Sequence, residues 1–316
     1  TSVPFPVALV FDDYQVIHNR AIHKSLNTLL QHLPTGARVV LITRADPPLP
    51  LARLRVHDQL AELRASDLLF TPAEIERYVN GINGAGLSSD EMTRLARRTE
   101  GWPAGVHLAT RSLQGCEASR RSELIRTFSG SNRFVYTFLL EEVLQQQSVE
   151  VGEFLTRTSI LPRLSAPLCA AVASIAIDEA ERILARLAQA NLFIAPLDDG
   201  RWYRYHALFA EAMEAGLRRD DANLWRELHR RAAAWCADND RAEWGIDHAM
   251  AAGDFATAAD LIERVGDVMW ATKDAAQLLR WIEALPESLI TSRAGLRLLH
   301  IWLLVLNNRR QEAVVL

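Results

Sequence analysis

Leu9-Val10-Phe11-Asp12-Asp13-Tyr14 is an apolar run that stops abruptly at two carboxylates. From Val7 to Phe11 it has the length and β-branched content of a buried strand. Side chains at the C-terminal end of a parallel strand project into the crevice where α/β sheets bind ligands. Two acids there suit a metal-bound phosphate, with Asp12 holding Mg²⁺ through water and Asp13 beside the attacking water as general base. The same residues also fit a strand followed by an acidic helix cap, because Asp is a common N-cap.

Working outward, residues 19–32 place Ile22, Leu26, Leu29 and Leu30 at helical spacing and end at the breaker cluster Pro34-Thr35-Gly36. Residues 38–44 then read as a second apolar strand closed by Thr43 and Arg44. A strand, helix and strand of these lengths form a right-handed βαβ unit with a parallel sheet. Both strands therefore deliver polar groups to one edge. An Arg at that edge can sense a γ-phosphate, since guanidinium matches phosphate geometry, or it can pair with Asp12.

Composition sets the bounds. At 316 residues, 49% hydrophobic and 23% charged, the chain is globular and long enough for two or three cores. Its net charge of −4 gives no overall basic footprint for nucleic acid. Cys116, Cys169 and Cys236 are widely spaced, which predicts reduced thiols and a cytoplasmic protein. No signal peptide is legible, and the most apolar late stretch, 296–306, is too short to span a bilayer and is expected to be a buried helix. Neither HExxH nor GxSxG occurs, and the nine histidines show no metal-ligand spacing with cysteines. No GxxxxGK[ST] loop occurs either, so the chain is expected to be a piece of a larger protein.

Further along, Pro47-Pro48-Leu49-Pro50 predicts a loop and Leu68-Leu69-Phe70 a short strand. Thr71-Pro72-Ala73-Glu74 is a helix start with a Thr cap, Pro at N1 and Glu at N3. Helix is expected from 74 to 115, broken at Gly84-Ala85-Gly86 and restarting at Ser88 or Ser89 to run to Glu100. Gly101-Trp102-Pro103-Ala104-Gly105 then turns sharply into another helix, 106–113.

These stretches together (9–14, Leu41-Ile42-Thr43-Arg44, Leu54-Arg55-Val56 and Glu100-Gly101-Trp102-Pro103-Ala104-Gly105) resemble the MalT family, ATP-dependent regulators of the LuxR class within the STAND group of signalling NTPases. The resemblance implies that Asp12 and Asp13 form a Walker B element, that Arg44 is a sensor arginine, and that Gly101 and Pro103 belong to an element packed near adenine. The family commonly has His where this chain has Gln15, a departure that leaves both acids intact.

Residues 132–147 read as a helix with Phe134, Phe138, Val143 and Leu144 apolar, followed by helices 149–157 and 166–173. Asp178-Glu179-Ala180-Glu181 opens another, whose buried face is Ile183, Leu184 and Leu187. Strands 192–197 and 201–205 flank the hairpin signal Asp198-Asp199-Gly200, which completes a winged helix. Its helix mixes Glu179 and Glu181 with Arg182 and Arg186, so no one-sided basic stripe favours direct DNA contact. In STAND proteins such a hairpin delivers a histidine to bound ADP, and Trp202-Tyr203-Arg204-Tyr205-His206-Ala207-Leu208-Phe209 resembles that signature. His206 would then donate to the β-phosphate; as a lone histidine it also suits a core or helix-capping place. From Asp221 onward helix follows helix, with Trp225, Leu228, Ala232 and Trp235 on one face and a turn at Gly253-Asp254, an irregular arm of tetratricopeptide type.

The expected architecture is thus a partial α/β P-loop NTPase core (1–70), an all-α helical lid (71–130), a winged helix (131–219) and a TPR-like arm (220–316). The resemblance implies an ATP/ADP and Mg²⁺ switch of a transcriptional activator. ADP would close it; an unknown inducer with ATP would open it for self-association. DNA would be bound only through a helix-turn-helix outside this sequence, with no membrane involved. Slow ATP hydrolysis is the most it implies for the whole protein, and none for this stretch. The competing expectation is a non-catalytic helical scaffold with an NTPase remnant.

Overall fold

A computed structural model of the chain describes residues 2–114, 116–190, 193–197, 201–269 and 275–315. The chain divides into two compact units, Thr1–Phe128 with Arg182–Pro196, and Ser129–Glu181 with Leu197–Leu316.

In the first unit, β1 (Ser2–Phe11) pairs in parallel with β2 (Thr35–Leu41), in the register Leu9 with Val39 and Phe11 with Leu41. Helix α1 (Arg20–Gln31) crosses between them, and Asn19 caps it by accepting the Ala21 N–H. The βαβ unit is therefore present. Its second strand starts earlier and ends earlier than predicted: Thr35 and Gly36 belong to the ladder, not to a breaker, and Thr43 and Arg44 lie past its end. Ser2 supplies Thr35 with a ladder partner, and Gly36 at φ 93° takes the backbone through the register shift that separates Ser2 from Val7. Parallel sheets normally have both faces covered, yet Leu9, Val10, Phe11, Val40 and Ile42 are all exposed.

A short helix α2 (Leu51–Val56) follows the proline loop. The strand predicted at Leu68-Leu69-Phe70 is absent; Ala65–Leu68 forms a 3₁₀ turn closed by the Arg64 N–H on Asp67, and Leu68 and Leu69 are exposed. Three apolar residues without a ladder neighbour cannot satisfy strand hydrogen bonds, and Phe70 instead donates to the Gly101 carbonyl. Helix α3 (Pro72–Glu76) carries the predicted Thr71/Glu74 capping box and passes into one π turn, Arg77–Ile82, that the periodicity did not reveal. Asn80 clamps the Gly84–Gly86 turn shut by exchanging hydrogen bonds with the Leu87 backbone at 2.8 Å. Helix α4 (Ser89–Thr99) has its own capping box, Ser88 with Glu91, and α5 (Pro103–Leu113) and α6 (Ala118–Thr127) follow. Ile75, Val79, Leu95, Val106, Ala109 and Ile125 are buried here.

The second unit opens with α7 (Arg133–Glu142), capped by Asn132. Its buried face is Val135 and Leu139, while Phe134, one of its apolar positions, is exposed. The helix stops at Glu142, so Leu144 belongs to a separate 3₁₀ turn and does not fix its phase. Helices α8 (Val149–Thr158), α9 (Ala166–Ala173) and α10 (Ile177–Gln189) fall within a residue of their expected bounds; α10 starts in this unit, residues 182–196 being assigned to the first, and Ile183, Leu184 and Leu187 are buried. A second two-stranded sheet comprises β3 (Ile194–Leu197) and β4 (Trp202–Tyr205). Leu192 and the tip Asp198-Asp199-Gly200 lie outside the described residues. Tyr203 and Leu164 exchange backbone hydrogen bonds at 2.8 Å, an antiparallel bridge that extends the wing.

Among the described residues eight helices complete the unit: α11 (Ala207–Asp220), α12 (Ala222–Asp238), α13 (Ala242–Ala252), α14 (Phe255–Met269), α15 (Ala275–Glu283), α16 (Glu287–Ser292), α17 (Ala294–Leu306) and α18 (Arg310–Val315). Ile246, Ala258, Leu261, Ile262, Leu278 and Ile282 form the centre of their core. Gly245 lets α13 approach closely: a Cβ there would sit 3.0 Å from Leu261 and 3.2 Å from Cys236. The α13–α14 turn is the predicted one, with Gly253 left-handed and Asp254 accepting the Thr257 N–H. Helix α17 corrects the expectation of a buried helix. Leu296, His300, Leu303 and Leu304 face inward, but Leu298, Trp302, Val305 and Leu306 are exposed, because the apolar residues run well beyond one face. Among the described residues no helix is long and apolar enough to cross a membrane.

Candidate functional site

The two acids sit where β1 gives way to a single 3₁₀ turn, Tyr14–Val16. Asp13 takes the left-handed conformation (φ 51°, ψ 39°), one that Asp tolerates better than most residues. Its N–H donates to Asp12 Oδ1 at 2.9 Å, folding the first carboxylate back over the chain. Both side chains remain exposed.

Tyr14 anchors this turn. It is 2% exposed, its N–H donates to the Ile42 carbonyl at 3.0 Å, and its hydroxyl meets His23 Nδ1 at 2.8 Å. Burial raises its phenol above the ordinary value. Gln15 then ties the two strand ends together. Its Nε2 donates to Asp13 Oδ1 at 2.8 Å, and its Oε1 accepts the Arg44 backbone N–H at 3.1 Å. Past β2, the Thr43 hydroxyl donates to the Ala45 carbonyl at 2.8 Å and turns the chain away. Asp12, Asp13 and Arg44 are therefore gathered at one sheet edge, as the βαβ reading requires. Tyr14 and Gln15 were not among the predicted site residues. Their partners lie 9 and 29 positions away, and nothing in the local pattern marks them.

Gly101 and Pro103 belong to the same unit. Glu100 and Gly101 are successively left-handed, at φ 50° and 77°. A Cβ on Gly101 would stand 2.7 Å from the Phe70 carbonyl oxygen, whose residue donates its N–H back to the Gly101 carbonyl at 2.8 Å. Only glycine fits there. Trp102 takes the N-cap position of α5 without a side-chain capping bond, Pro103 takes N1, and the indole meets Phe193 edge-on at 5.3 Å. The turn is a rigid shelf.

His206 lies in the second unit, between β4 and α11. It occupies the N-cap position, but its imidazole makes no capping hydrogen bond; its carbonyl accepts the Ala210 N–H at 3.0 Å. Neighbouring Tyr205 is buried, with its hydroxyl on Thr158 Oγ1 at 2.8 Å, and burial pushes its phenol well up. The ring of Trp202 meets Trp244 edge-on at 5.5 Å, and the guanidiniums of Arg163 and Arg241 lie over Trp244 at 5.4 and 5.3 Å. The wing is thus fixed on both sides of the histidine.

Chemically, a pair of exposed carboxylates suits a hydrated Mg²⁺, which keeps several waters and takes only one or two protein carboxylates beside substrate phosphates. An all-protein cage is a different matter: among the described residues no three His, Cys, Asp or Glu side chains are grouped to hold a metal ion. Asp12 fits the first kind of site, with one carboxylate oxygen engaged by the Asp13 N–H.

Comparison with known proteins follows the same lines. Residues 140–225 match the family model of the MalT winged helix domain. The chain is 33% identical over 308 residues to the serine/threonine-protein kinase PknK of Mycobacterium tuberculosis, covering 97% of this chain and 27% of that protein. It is 31% identical to the HTH-type transcriptional regulator MalT of Yersinia enterocolitica and 30% identical to that of Serratia proteamaculans, in each case over 97% of this chain and 34% of the relative. It therefore spans about a third or less of the length of these relatives. A solved STAND protein with a tetratricopeptide repeat sensor from Pyrococcus horikoshii covers 97% of the chain at 15% identity and a TM-score of 0.45, too distant to carry weight. With residues 140–225 matching the MalT winged helix model and MalT relatives aligned along nearly all of its length, this chain is a MalT-like stretch.

Proposed function

We propose that the chain is the switching segment of a MalT-like signal-transduction regulator controlled by ATP and ADP. In this reading Asp12 holds Mg²⁺ through water, Asp13 orients or deprotonates the attacking water, and Arg44 senses the γ-phosphate. Gly101 and Pro103 form the shelf beside the base, and His206 donates to the β-phosphate of ADP. ADP favours a closed, inactive form; an inducer together with ATP favours an open form that self-associates, and a helix-turn-helix elsewhere in the protein binds DNA. The nucleotide shifts the balance only by its difference in affinity for the two forms. Hydrolysis, where it occurs, is slow. The assignment of 1–70, 71–130, 131–219 and 220–316 to core, lid, winged helix and TPR-like arm belongs to the same proposal.

The observation that carries this reading is the Gln15 amide, which fastens the carboxylate after β1 to the backbone after β2 and so fixes the relative place of Asp13 and Arg44. Supporting it, the same stretch is shared with proteins named for different outputs, a kinase and two transcriptional regulators. A stretch common to both suits control better than output. Calorimetric titration of ADP into the full-length protein is the test. Asp12→Ala and His206→Ala are each expected to weaken binding tenfold or more, and unchanged affinity in both would overturn the reading. The exposed apolar face of α17 favours a second reading, a helical scaffold, for which ADP would not bind at all.

A further inference from the structure

Glu214 of α11, His229 of α12 and His248 of α13 form a polar file through the second unit. The two histidines are each 5% exposed, and their Nδ1 atoms are 2.9 Å apart. On the other side of its ring, His229 Nε2 is 3.7 Å from Glu214 Oε1, within ion-pair reach but beyond a hydrogen bond. Glu214 also accepts the Trp225 indole N–H at 3.1 Å and lines an open groove with Ser129, Ser131, Glu211 and Arg218. Trp225 packs against the His229 ring at 4.5 Å, with the Arg218 guanidinium 4.8 Å over the indole. The charged groups acting on the pair are thus Glu214 and Arg218 from α11. Asp247, beside His248 on α13, is engaged by the Trp281 N–H of α15 at 2.8 Å.

Two imidazole nitrogens at 2.9 Å can share a hydrogen bond only when one carries the proton and the other offers its lone pair. A neutral pair satisfies this. So does a pair with one extra proton on His229, whose second N–H then faces Glu214. A pair with both rings protonated sets N–H against N–H and cannot hold that distance. The geometry points to an acid-sensitive latch on the first helical hairpin of the arm: the His229–His248 pair accepts one proton but not two, and the second proton parts α12 from α13, with Glu214 as the polar step between groove and pair.

The shifts agree with this arrangement. Burial, reinforced by the His229 charge, pushes His248 down to about 3 from an ordinary 6.5. For Glu214, burial acts upward, but the interactions with His229 and Trp225 outweigh it and leave the carboxyl below its ordinary value. The sign follows: the closed pair binds fewer protons than the open one, so closure is complete above about 6.5 and is lost as pH falls toward 3. One excluded proton costs roughly a factor of ten in the closing equilibrium per pH unit.

Ring-nitrogen NMR of the full chain tests the pair directly. A coupling between the two Nδ1 nuclei is expected, with one ring neutral below pH 5; two rings titrating independently near their ordinary value would overturn the latch. Urea unfolding of the unsubstituted chain and of His248→Gln between pH 6 and pH 4 gives a second arm. The unsubstituted chain is expected to lose about tenfold more of its folding constant per pH unit, and equal slopes would again overturn it. Should His248→Gln fail to fold, the NMR of the unsubstituted chain decides alone.

Discussion

Gln15 does at the strand ends what neither acid can do for itself: its two amide atoms fasten a carboxylate on one side and a backbone N–H on the other. Removing that side chain should therefore leave the fold intact while loosening the site. Gln15→Ala is expected to cost stability only about 1 kcal/mol, the net worth of ordinary hydrogen bonds, yet to weaken ADP binding by the full-length protein severalfold. Gln15→His, the residue that the resemblance implies for this position, is expected to keep binding within twofold; calorimetry of the three proteins checks both. Gly101 is constrained in a different way. Its left-handed backbone and the Phe70 carbonyl 2.7 Å from any Cβ leave no room for alanine. Gly101→Ala is expected to destabilise by on the order of 1–3 kcal/mol, read from denaturant midpoints, whereas Gly84→Ala, with open space around it, should cost less.

At the scale of elements, legibility in the sequence followed how local the determining forces were. The capping box at Thr71 with Pro72 at N1, the restart at Ser88 and the Gly253-Asp254 turn are decided within four residues, and each lies where expected, whereas α5 starts at Pro103, three residues before the expected 106. The expected Leu68-Leu69-Phe70 strand failed because a strand is made by its neighbour, and Phe70 finds Gly101 instead. The α17 reading failed for a related reason: its apolar residues cover most of the circumference, so periodicity cannot say which ones a neighbouring helix will bury. At the site, residue types that carry charge were legible, while Tyr14 and Gln15, which place those charges, were not. An element-level consequence can be measured. Thr71→Ala and Ser88→Ala each remove a cap from a short helix and are expected to cost roughly 1 kcal/mol, with Glu91→Gln less costly than Ser88→Ala because the amide can still accept the Ser88 N–H.

On the scale of the whole second unit, the winged helix and the helices from α12 onward, the proposed arm, are joined by charge as well as by packing. Helix α9 ends without a glycine cap, and two arginines from other helices satisfy carbonyls there: Arg157 of α8 donates to Ala173 at 3.1 Å, and Arg231 of α12 to Val172 at 3.4 Å and to the Ser174 hydroxyl at 2.6 Å. Cations at a helix C-terminus also complement its dipole. On the wing side, Arg241 reaches over Trp202 and Trp244, so β4 and α13 share a cation. Arms of stacked helices unfold piecewise when their interfaces are weak. Here the interface carries directed bonds, so winged helix and arm are expected to melt together in one transition. Arg231→Ala should remove both contacts to the end of α9 and destabilise by about 1–2 kcal/mol, since hydrogen bonds from charged groups exceed neutral ones. Combined with Arg241→Ala, which removes the cation shared by Trp202 and Trp244 and leaves only their ring contact, it is expected to split the single calorimetric transition in two. If the double variant still melts as one unit, apolar burial between α9, α11 and α12 alone holds winged helix and arm together, and the arginines only trim the ends.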